Sequence, residues 1–146
     1  MAVYPGSFNP WHEGHKDILV KALAIFDKVI IAVGTNPDKP DTSSAAYDAL
    51  TVRFAGNQRI EVSLFTGLLA DYARRVSATA IVRGLRNSND FEFEQTQQYW
   101  NEDLGLPCPI LHFISKRELV HVSSTMLRQL EKFKGKANDG GASKNR

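Results

Sequence analysis

The chain has 146 residues, typical of one domain of roughly 150 residues that buries a core without disulfides or metal ions. Its 18 Lys and Arg residues against 16 Asp and Glu leave a net charge of +2, which argues against nucleic acid as the main ligand. The single cysteine, Cys108, excludes a disulfide framework and favours a reducing, cytoplasmic location. No apolar run is longer than that of residues 29–33, which is too short to cross a membrane, and no signal peptide is recognisable.

Apolar periodicity predicts strands that alternate with helices along the chain. The predicted strands cover residues 2–4, 28–34, 59–64, 78–82 and 110–114, with Pro5 and Gly6 ending the first. The predicted helices cover residues 14–26, 47–54, 67–76, 90–104 and 123–133, and residues 35–44 form a polar loop. This order predicts the α/β class: a Rossmann-like, doubly wound parallel sheet over residues 1–134, which binds ligands beyond the carboxyl ends of its strands. The polar tail, residues 135–146, is predicted to be disordered.

The loop between the first strand and the first helix carries a candidate site, GSFNPWHEGH at residues 6–15. Gly6 permits a tight turn, and His12 and His15 share one face if their segment is helical. They would lie at the positive end of the helix, where an imidazole can donate a hydrogen bond to a phosphoryl oxygen, more strongly when protonated. Two surface histidines beside a turn are the simpler interpretation, but the strand–loop–helix context favours a binding site.

A second candidate site follows the predicted fourth strand, in the sequence RGLRNSNDFEFE. Arg83 and Arg86 would lie at the carboxyl end of that strand, and two guanidinium groups three residues apart suit a polyphosphate. Gly84 would let the backbone approach the ligand, and the acidic residues that follow would begin a helix and complement its dipole. On composition alone, an arginine-bearing turn before an acidic helix start explains the same residues.

A third candidate site opens the last predicted helix, in the sequence VSSTMLR. One hydroxyl side chain would be enough to cap the helix, but Ser123, Ser124 and Thr125 supply three. The additional hydroxyls and the exposed N–H groups would make an anion-binding site, which Arg128 could reach from one turn further on.

Together these motifs resemble the bacterial phosphopantetheine adenylyltransferase family of the nucleotidyltransferase superfamily. The family patterns HxGH, RGLRxxxDFExE and SSTxxR match residues 12–15, 83–94 and 123–128, and the resemblance extends over about residues 2–130. It implies the nucleotidyltransferase fold of the HIGH type. It also implies transfer of an adenylyl group from ATP to 4′-phosphopantetheine, which gives dephospho-coenzyme A and pyrophosphate. Mg²⁺ is expected to accompany ATP without a protein metal site, and a homo-oligomer, a hexamer, is implied.

The resemblance also implies roles for individual residues. His15 and Lys39 would be catalytic: His15 would stabilise charge on the α-phosphate, and Lys39 with Ser7 would hold the attacking phosphate. The implied ATP-binding residues are Ser7, Phe8, His15, Arg83, Gly84, Arg86, Glu94, Ser123, Ser124, Thr125 and Arg128. The implied acceptor-binding residues are Ser7, Lys39, Leu68, Leu69, Arg83 and Asn101. Leu68 and Leu69 equally fit the core of an amphipathic helix, and Phe91, Trp100 and Cys108 are predicted to be packing residues.

The sequence departs from the family pattern in four places. Asn9 replaces the usual Asp, His12 replaces the usual Thr, residues 41–48 lack the usual charged helix start, and the C-terminal VPxxVxxxL helix is absent. Asn9 and His12 favour an alternative, an adenylyltransferase for another phosphate acceptor such as nicotinamide mononucleotide. A non-catalytic nucleotide-binding relative is a second alternative. Neither nucleic acid nor a membrane is an expected partner.

Overall fold

Helices and strands alternate throughout the described chain. The computed structural model describes residues 1–35, 38, 40–86, 88–116 and 130–131. The strands are β1 (Ala2–Gly6), β2 (Val29–Gly34), β3 (Ile60–Phe65), β4 (Ala80–Leu85) and β5 (Ile110–Ile114). The helices are α1 (Glu13–Leu23), α2 (Pro40–Arg53), α3 (Leu69–Arg75) and α4 (Ser88–Asp103). A helix between each pair of consecutive strands allows all four strand pairs to run parallel.

The five strands form one parallel sheet in the order β3-β2-β1-β4-β5. The prediction of a Rossmann-like, doubly wound sheet is therefore confirmed, and the strand order reverses between β1 and β4. Along β1, the pairing with β4 joins Ala2 to Ala80 and Val3 to Ile81, whereas the pairing with β2 continues to Gly6. Strands β1 and β4 therefore separate towards their carboxyl ends. The crevice that opens between them is the usual ligand position in such sheets.

Helices cover both faces of the sheet with separate apolar clusters. On one face Ile18 and Leu19 of α1 and Leu50 of α2 pack against alternate residues of β1, β2 and β4. On the other face Tyr72 and Ala73 of α3 pack against the intervening residues. Because both faces are buried, β2 is apolar along nearly its whole length.

The predicted boundaries of β1 and β4 are wrong. Pro5 and Gly6 belong to β1 rather than ending it. The N–H of Ala2 bonds to Lys28 beside β2, so the nitrogen of Pro5, three positions on, faces β4, where the pairing has already ended. The N–H group that Pro5 lacks would therefore have no partner strand to bond to, and the sheet loses no hydrogen bond. Likewise, β4 begins at Ala80 and continues to Leu85, so Arg83 lies within the strand rather than after it.

The second helix is longer than predicted. It begins at Pro40, inside the segment that was predicted to be a polar loop. Its buried residues, Ser43, Ala46 and Leu50, follow helical spacing but are mostly small or polar, so hydrophobic periodicity missed the first two turns. Proline at the first helical position supports this start, because its missing N–H would have no partner within the helix.

Two aromatic residues of α4 were wrongly predicted to lie in the core. Phe91 is 55% exposed and Trp100 is 62% exposed, because α4 buries the carboxylate of Glu94 against the sheet instead. Cys108 is a free, half-buried thiol packed beside the α3 cluster, as predicted, and burial raises its pKa.

The predicted last helix and the predicted tail lie almost entirely outside the described residues. Of residues 123–133, only Leu130 and Glu131 are described, and both are helical. In the parts of the chain that the structure describes, no helix combines the length and the apolar character needed to span a membrane.

Candidate active site

The loop after β1 is shaped by a buried aromatic side chain. Phe8 has a φ of 50°, in the left-handed region that bulky residues rarely adopt, and its ring is 3% exposed. A Cβ on Gly6 would lie 3.0–3.2 Å from that ring. Gly6 therefore makes room for Phe8, and the ring fixes the course of the loop as it leaves the sheet.

The two histidines of the loop cap α1 reciprocally. His12 is the N-cap residue, and its Nδ1 accepts a hydrogen bond from the N–H of Gly14 at 3.0 Å. The N–H of His12 in turn donates to Nδ1 of His15 at 3.2 Å, which completes a capping box. Since each Nδ1 accepts, each neutral ring carries its proton on Nε2. His12 therefore precedes the helix, and the cap brings the two rings together, stacked with centroids 3.7 Å apart.

His15 is a neutral donor. Its ring contacts Phe8 and Trp11, with centroids 5.0 and 5.3 Å away. Burial, together with the charges of His12 and Arg86, lowers the pKa of His15 from 6.5 to about 3. The pKa of His12 is lowered as well, first by burial and then by Arg86. The sequence interpretation allowed a protonated imidazole, but the structure supplies an uncharged Nε2–H group near neutral pH.

Gly14 is expected to be essential for this cap. A Cβ at this position would lie 2.8 Å from Cε1 and 3.0 Å from Nδ1 of His12. Gly14→Ala should displace the His12 ring and lower the free energy of unfolding by about 1 kcal/mol, the usual cost of a lost N-cap. Urea unfolding checks this, with Lys16→Ala, at an exposed position of the same helical turn, as the matched control. A gain in stability from the better helix propensity of alanine would show that the cap is not limiting.

Arg83 and Glu94 form an ion pair at the carboxyl end of β4. Nε and Nη2 of Arg83 donate to the two carboxylate oxygens of Glu94 at 2.9 and 2.8 Å. Glu94 is 9% exposed, so its charge is nearly removed from water and depends on this partner. A contact between Glu94 and a nucleotide stays a prediction, and in the structure the carboxylate of Glu94 binds Arg83.

Gly84, beside Arg83, has a packing role that the sequence did not reveal. A Cβ there would lie 3.0 Å from Cγ1 of Ile18, so the glycine lets α1 approach β4 closely. From the sequence, Gly84 was instead predicted to let the backbone approach the ligand.

A cavity of about 570 Å³ lies beside the crevice, a volume within the usual range for small-molecule sites. Its lining joins residues from β1, β4, α4 and the start of α3. Six of the implied binding residues line it: Ser7, Leu68, Leu69, Arg83, Glu94 and Asn101. Leu68 is 46% exposed and precedes α3, so it is not a core residue of that helix. Trp100 also lines the cavity; the sequence interpretation missed it, although it adjoins Asn101.

The remaining implied residues divide into two groups. His15 and Phe8 lie on the α1 side of the crevice, and Arg86 is close enough to influence the charge of both histidines. The other group lies outside the described residues and comprises Lys39, Ser123, Ser124, Thr125 and Arg128. Among the described side chains, no group of three or more His, Cys, Asp or Glu residues is placed to hold a metal ion.

The strand order and the capped histidine loop at the switch point define a cytidylyltransferase-like α/β protein, and the sequence model of that family matches residues 3–130. The chain is 36% identical to the phosphopantetheine adenylyltransferase of Cytophaga hutchinsonii over 92% of this chain and 91% of that protein. It is 40% identical to the one from Chromobacterium violaceum over 88% and 80% of the two chains. The chain belongs to the phosphopantetheine adenylyltransferase family.

A solved structure supports the fold alone. The chain superimposes with a TM-score of 0.54 and 19% identity on a bifunctional NMN adenylyltransferase/ADP ribose pyrophosphatase from Francisella tularensis. The match covers 97% of this chain but 43% of that longer protein. At this identity, the similarity concerns the arrangement of strands and helices and carries no conclusion about the acceptor.

Proposed function

We propose that this chain transfers an adenylyl group from ATP to 4′-phosphopantetheine, which releases pyrophosphate and dephospho-coenzyme A. The observation that carries the proposal is the geometry around the β1–β4 crevice. A neutral histidine donor lies on one side of it, and a cavity with Arg83 and the apolar Leu68 lies on the other. The names of the similar proteins from C. hutchinsonii and C. violaceum support the same reaction.

In the proposed reaction the acceptor's phosphate is the nucleophile. An oxygen of that phosphate forms a bond to the α-phosphorus of ATP, and the bond from the α-phosphorus to the oxygen bridging to the β-phosphate breaks. Pyrophosphate leaves with the electron pair, so no covalent enzyme intermediate is required. Catalysis would then depend on alignment of the two phosphates and on stabilisation of charge at the α-phosphate.

His15 is the group proposed to stabilise that charge. Its Nδ1 is occupied by the N–H of His12, so its Nε2–H remains to donate to a phosphoryl oxygen. A donor that is already fixed by the cap needs little reorganisation as charge develops. A neutral imidazole also keeps the same protonation state throughout the physiological range.

The acceptor is proposed to occupy the cavity. Ser7 and Arg83 would hold its phosphate, together with Lys39, which lies outside the described residues. The rest of 4′-phosphopantetheine is an apolar chain with two amides, which suits Leu68, Leu69 and Asn101: leucine side chains for the chain and a side-chain amide for a peptide-like group.

The nucleotide is proposed to lie at the α1 side and over the end of β4. The buried ring of Phe8 would support the loop there, Gly84 lets α1 lie close to β4, and Glu94 holds the side chain of Arg83. Arg86 would join the phosphate-binding site of ATP. The β- and γ-phosphates would be held by Arg83, which also borders the acceptor's cavity, and by the segment that contains Ser123, Ser124, Thr125 and Arg128.

Three further properties belong to the proposal. Mg²⁺ would enter with ATP, held by phosphate oxygens and water, and no step here is assigned to it. A homo-oligomer, a hexamer in the form that the sequence resemblance implies, stays a prediction. A cytoplasmic location is proposed from the single free thiol of Cys108.

Pyrophosphate release from ATP tests the choice of acceptor. We expect rapid release with 4′-phosphopantetheine and release at the background rate with nicotinamide mononucleotide or with no acceptor. The control is an Arg83→Met/Glu94→Met double variant, which should release none with either acceptor. Faster release with nicotinamide mononucleotide would instead support the alternative that Asn9 and His12 favoured. ATP binding without release on either acceptor would support a non-catalytic relative.

A further inference from the structure

A partly buried histidine lies against the Arg83–Glu94 pair and takes no part in the proposed reaction. His112 of β5 is the register partner of Arg83 of β4. Its Nε2 lies 3.4 Å from Oε2 of Glu94, the same oxygen that accepts the Nε–H of Arg83. Within the described part of the chain, this Nε2 is buried and has no hydrogen-bond partner.

The charge of the three side chains depends on the protonation of His112. With a neutral imidazole, Arg83 and Glu94 cancel each other, and the cluster offers no net charge to an anion. With an imidazolium, Glu94 has two cationic partners, and the cluster becomes positive by one charge. The side chains of Arg83, Glu94 and His112 are 27%, 11% and 20% exposed, so water screens their interactions less than at a surface.

Charged groups on the opposite side of β5 do not reach this cluster in the described structure. Helix α1 brings Asp17 and Lys21 to the end of the strand, where they pair with each other at 3.0 Å. Lys21 also donates to the carbonyl of Ile114, and Asp17 accepts from the backbone of Lys116. From α4 and β4, the charged groups that face His112 are Glu94 and Arg83.

We propose that His112 is a proton-linked positioning residue of the phosphate site. A proton gained by its imidazole competes for Glu94 and leaves more of the charge of Arg83 to a bound phosphate. This inference rests on the proposed function in one respect, the contact between Arg83 and a phosphate. By linkage, phosphate binding and proton uptake by His112 strengthen each other by the same factor.

Calorimetric titration with inorganic pyrophosphate tests the proposal without requiring turnover. Titrations at pH 6.5 in buffers of different ionisation enthalpy give the number of protons taken up on binding. The wild type should take up more protons than His112→Leu or His112→Gln, and proton uptake by pyrophosphate itself cancels in the comparison. The wild type should also bind pyrophosphate about fivefold more tightly than either variant at pH 6, an advantage that disappears at pH 8.

Equal proton uptake by the wild type and both variants would overturn the proposal. If the variants fail to fold, the assigned resonances of His112 in the wild type provide the test, because its imidazole should become more protonated when pyrophosphate is added at constant pH. One outcome contradicts only the role of His112: Arg83→Met abolishes pyrophosphate binding, but the wild type and the His112 variants take up equal numbers of protons on binding. Binding that Arg83→Met leaves unchanged would contradict the phosphate contact, and with it both proposals.

Discussion

His15→Ala is expected to lower kcat by about 10²–10³-fold while KM for ATP changes by less than about threefold. The Nε2–H of His15 is proposed to bond most strongly when charge develops on the α-phosphate, so its loss raises the barrier more than it weakens the ground state. Steady-state kinetics with ATP and 4′-phosphopantetheine measure the two effects. An unchanged kcat would show that His15 only caps the helix.

The same variant needs a structural control, because Nδ1 of His15 also accepts the N–H of His12. His15→Gln keeps both an acceptor and a donor and should retain more activity than alanine. Circular dichroism and urea unfolding separate loss of the cap from loss of catalysis. Lys16→Ala, which removes an exposed neighbour, should leave kcat unchanged.

The lowered pKa of His15 also predicts how stability depends on pH. The unfolded chain takes up a proton near pH 6.5, whereas the folded chain resists it until about pH 3. The unfolded state therefore binds more protons in that interval, and the free energy of unfolding falls as the pH drops through it. His15→Ala should reduce this slope. A slope equal to that of the wild type would mean that the pKa of His15 is not lowered by folding.

Arg83→Met is expected to lower the free energy of unfolding by on the order of 3 kcal/mol, because it leaves the buried carboxylate of Glu94 without its partner. It should also abolish most of kcat/KM, because the acceptor's phosphate loses its proposed guanidinium contact. Urea unfolding and pyrophosphate release measure the two losses independently.

The double variant Arg83→Met/Glu94→Met separates stability from function. Removing both charges should restore much of the free energy of unfolding, since no buried charge is left unpaired. Activity should stay as low as in the single variant. Recovery of activity together with stability would show that Arg83 contributes to the fold rather than to phosphate binding.

The sheet could be predicted because its physical requirement is local. A strand buried on both faces must be apolar along its length, as residues 29–33 are, and that signal needs no partner strand to be recognised. The carboxyl ends of parallel strands share one edge, so the placement of Ser7 and Arg83 at one cavity followed from the alternation of elements. The family resemblance, and not periodicity, predicted Leu68 and Asn101 as binding residues, and both line the cavity.

The contacts inside the site could not be predicted because they join distant elements. Glu94 and Arg83 lie eleven residues apart, on a helix and a strand, and no helical or strand spacing connects them. His112 is one polar residue in an apolar strand, and only the register between β4 and β5 brings it beside that pair. Likewise, the need for glycine at position 84 depends on where Ile18 of α1 comes to lie.

The most direct test of the account is identification of the product by mass spectrometry when the protein is mixed with ATP and 4′-phosphopantetheine. We expect dephospho-coenzyme A and pyrophosphate in equal amounts, with no product from the Arg83→Met/Glu94→Met variant. Product formation that persists in that folded double variant would contradict the proposed site. Recovery of both substrates unchanged from the wild type, under conditions in which ATP binds, would contradict the proposed reaction itself.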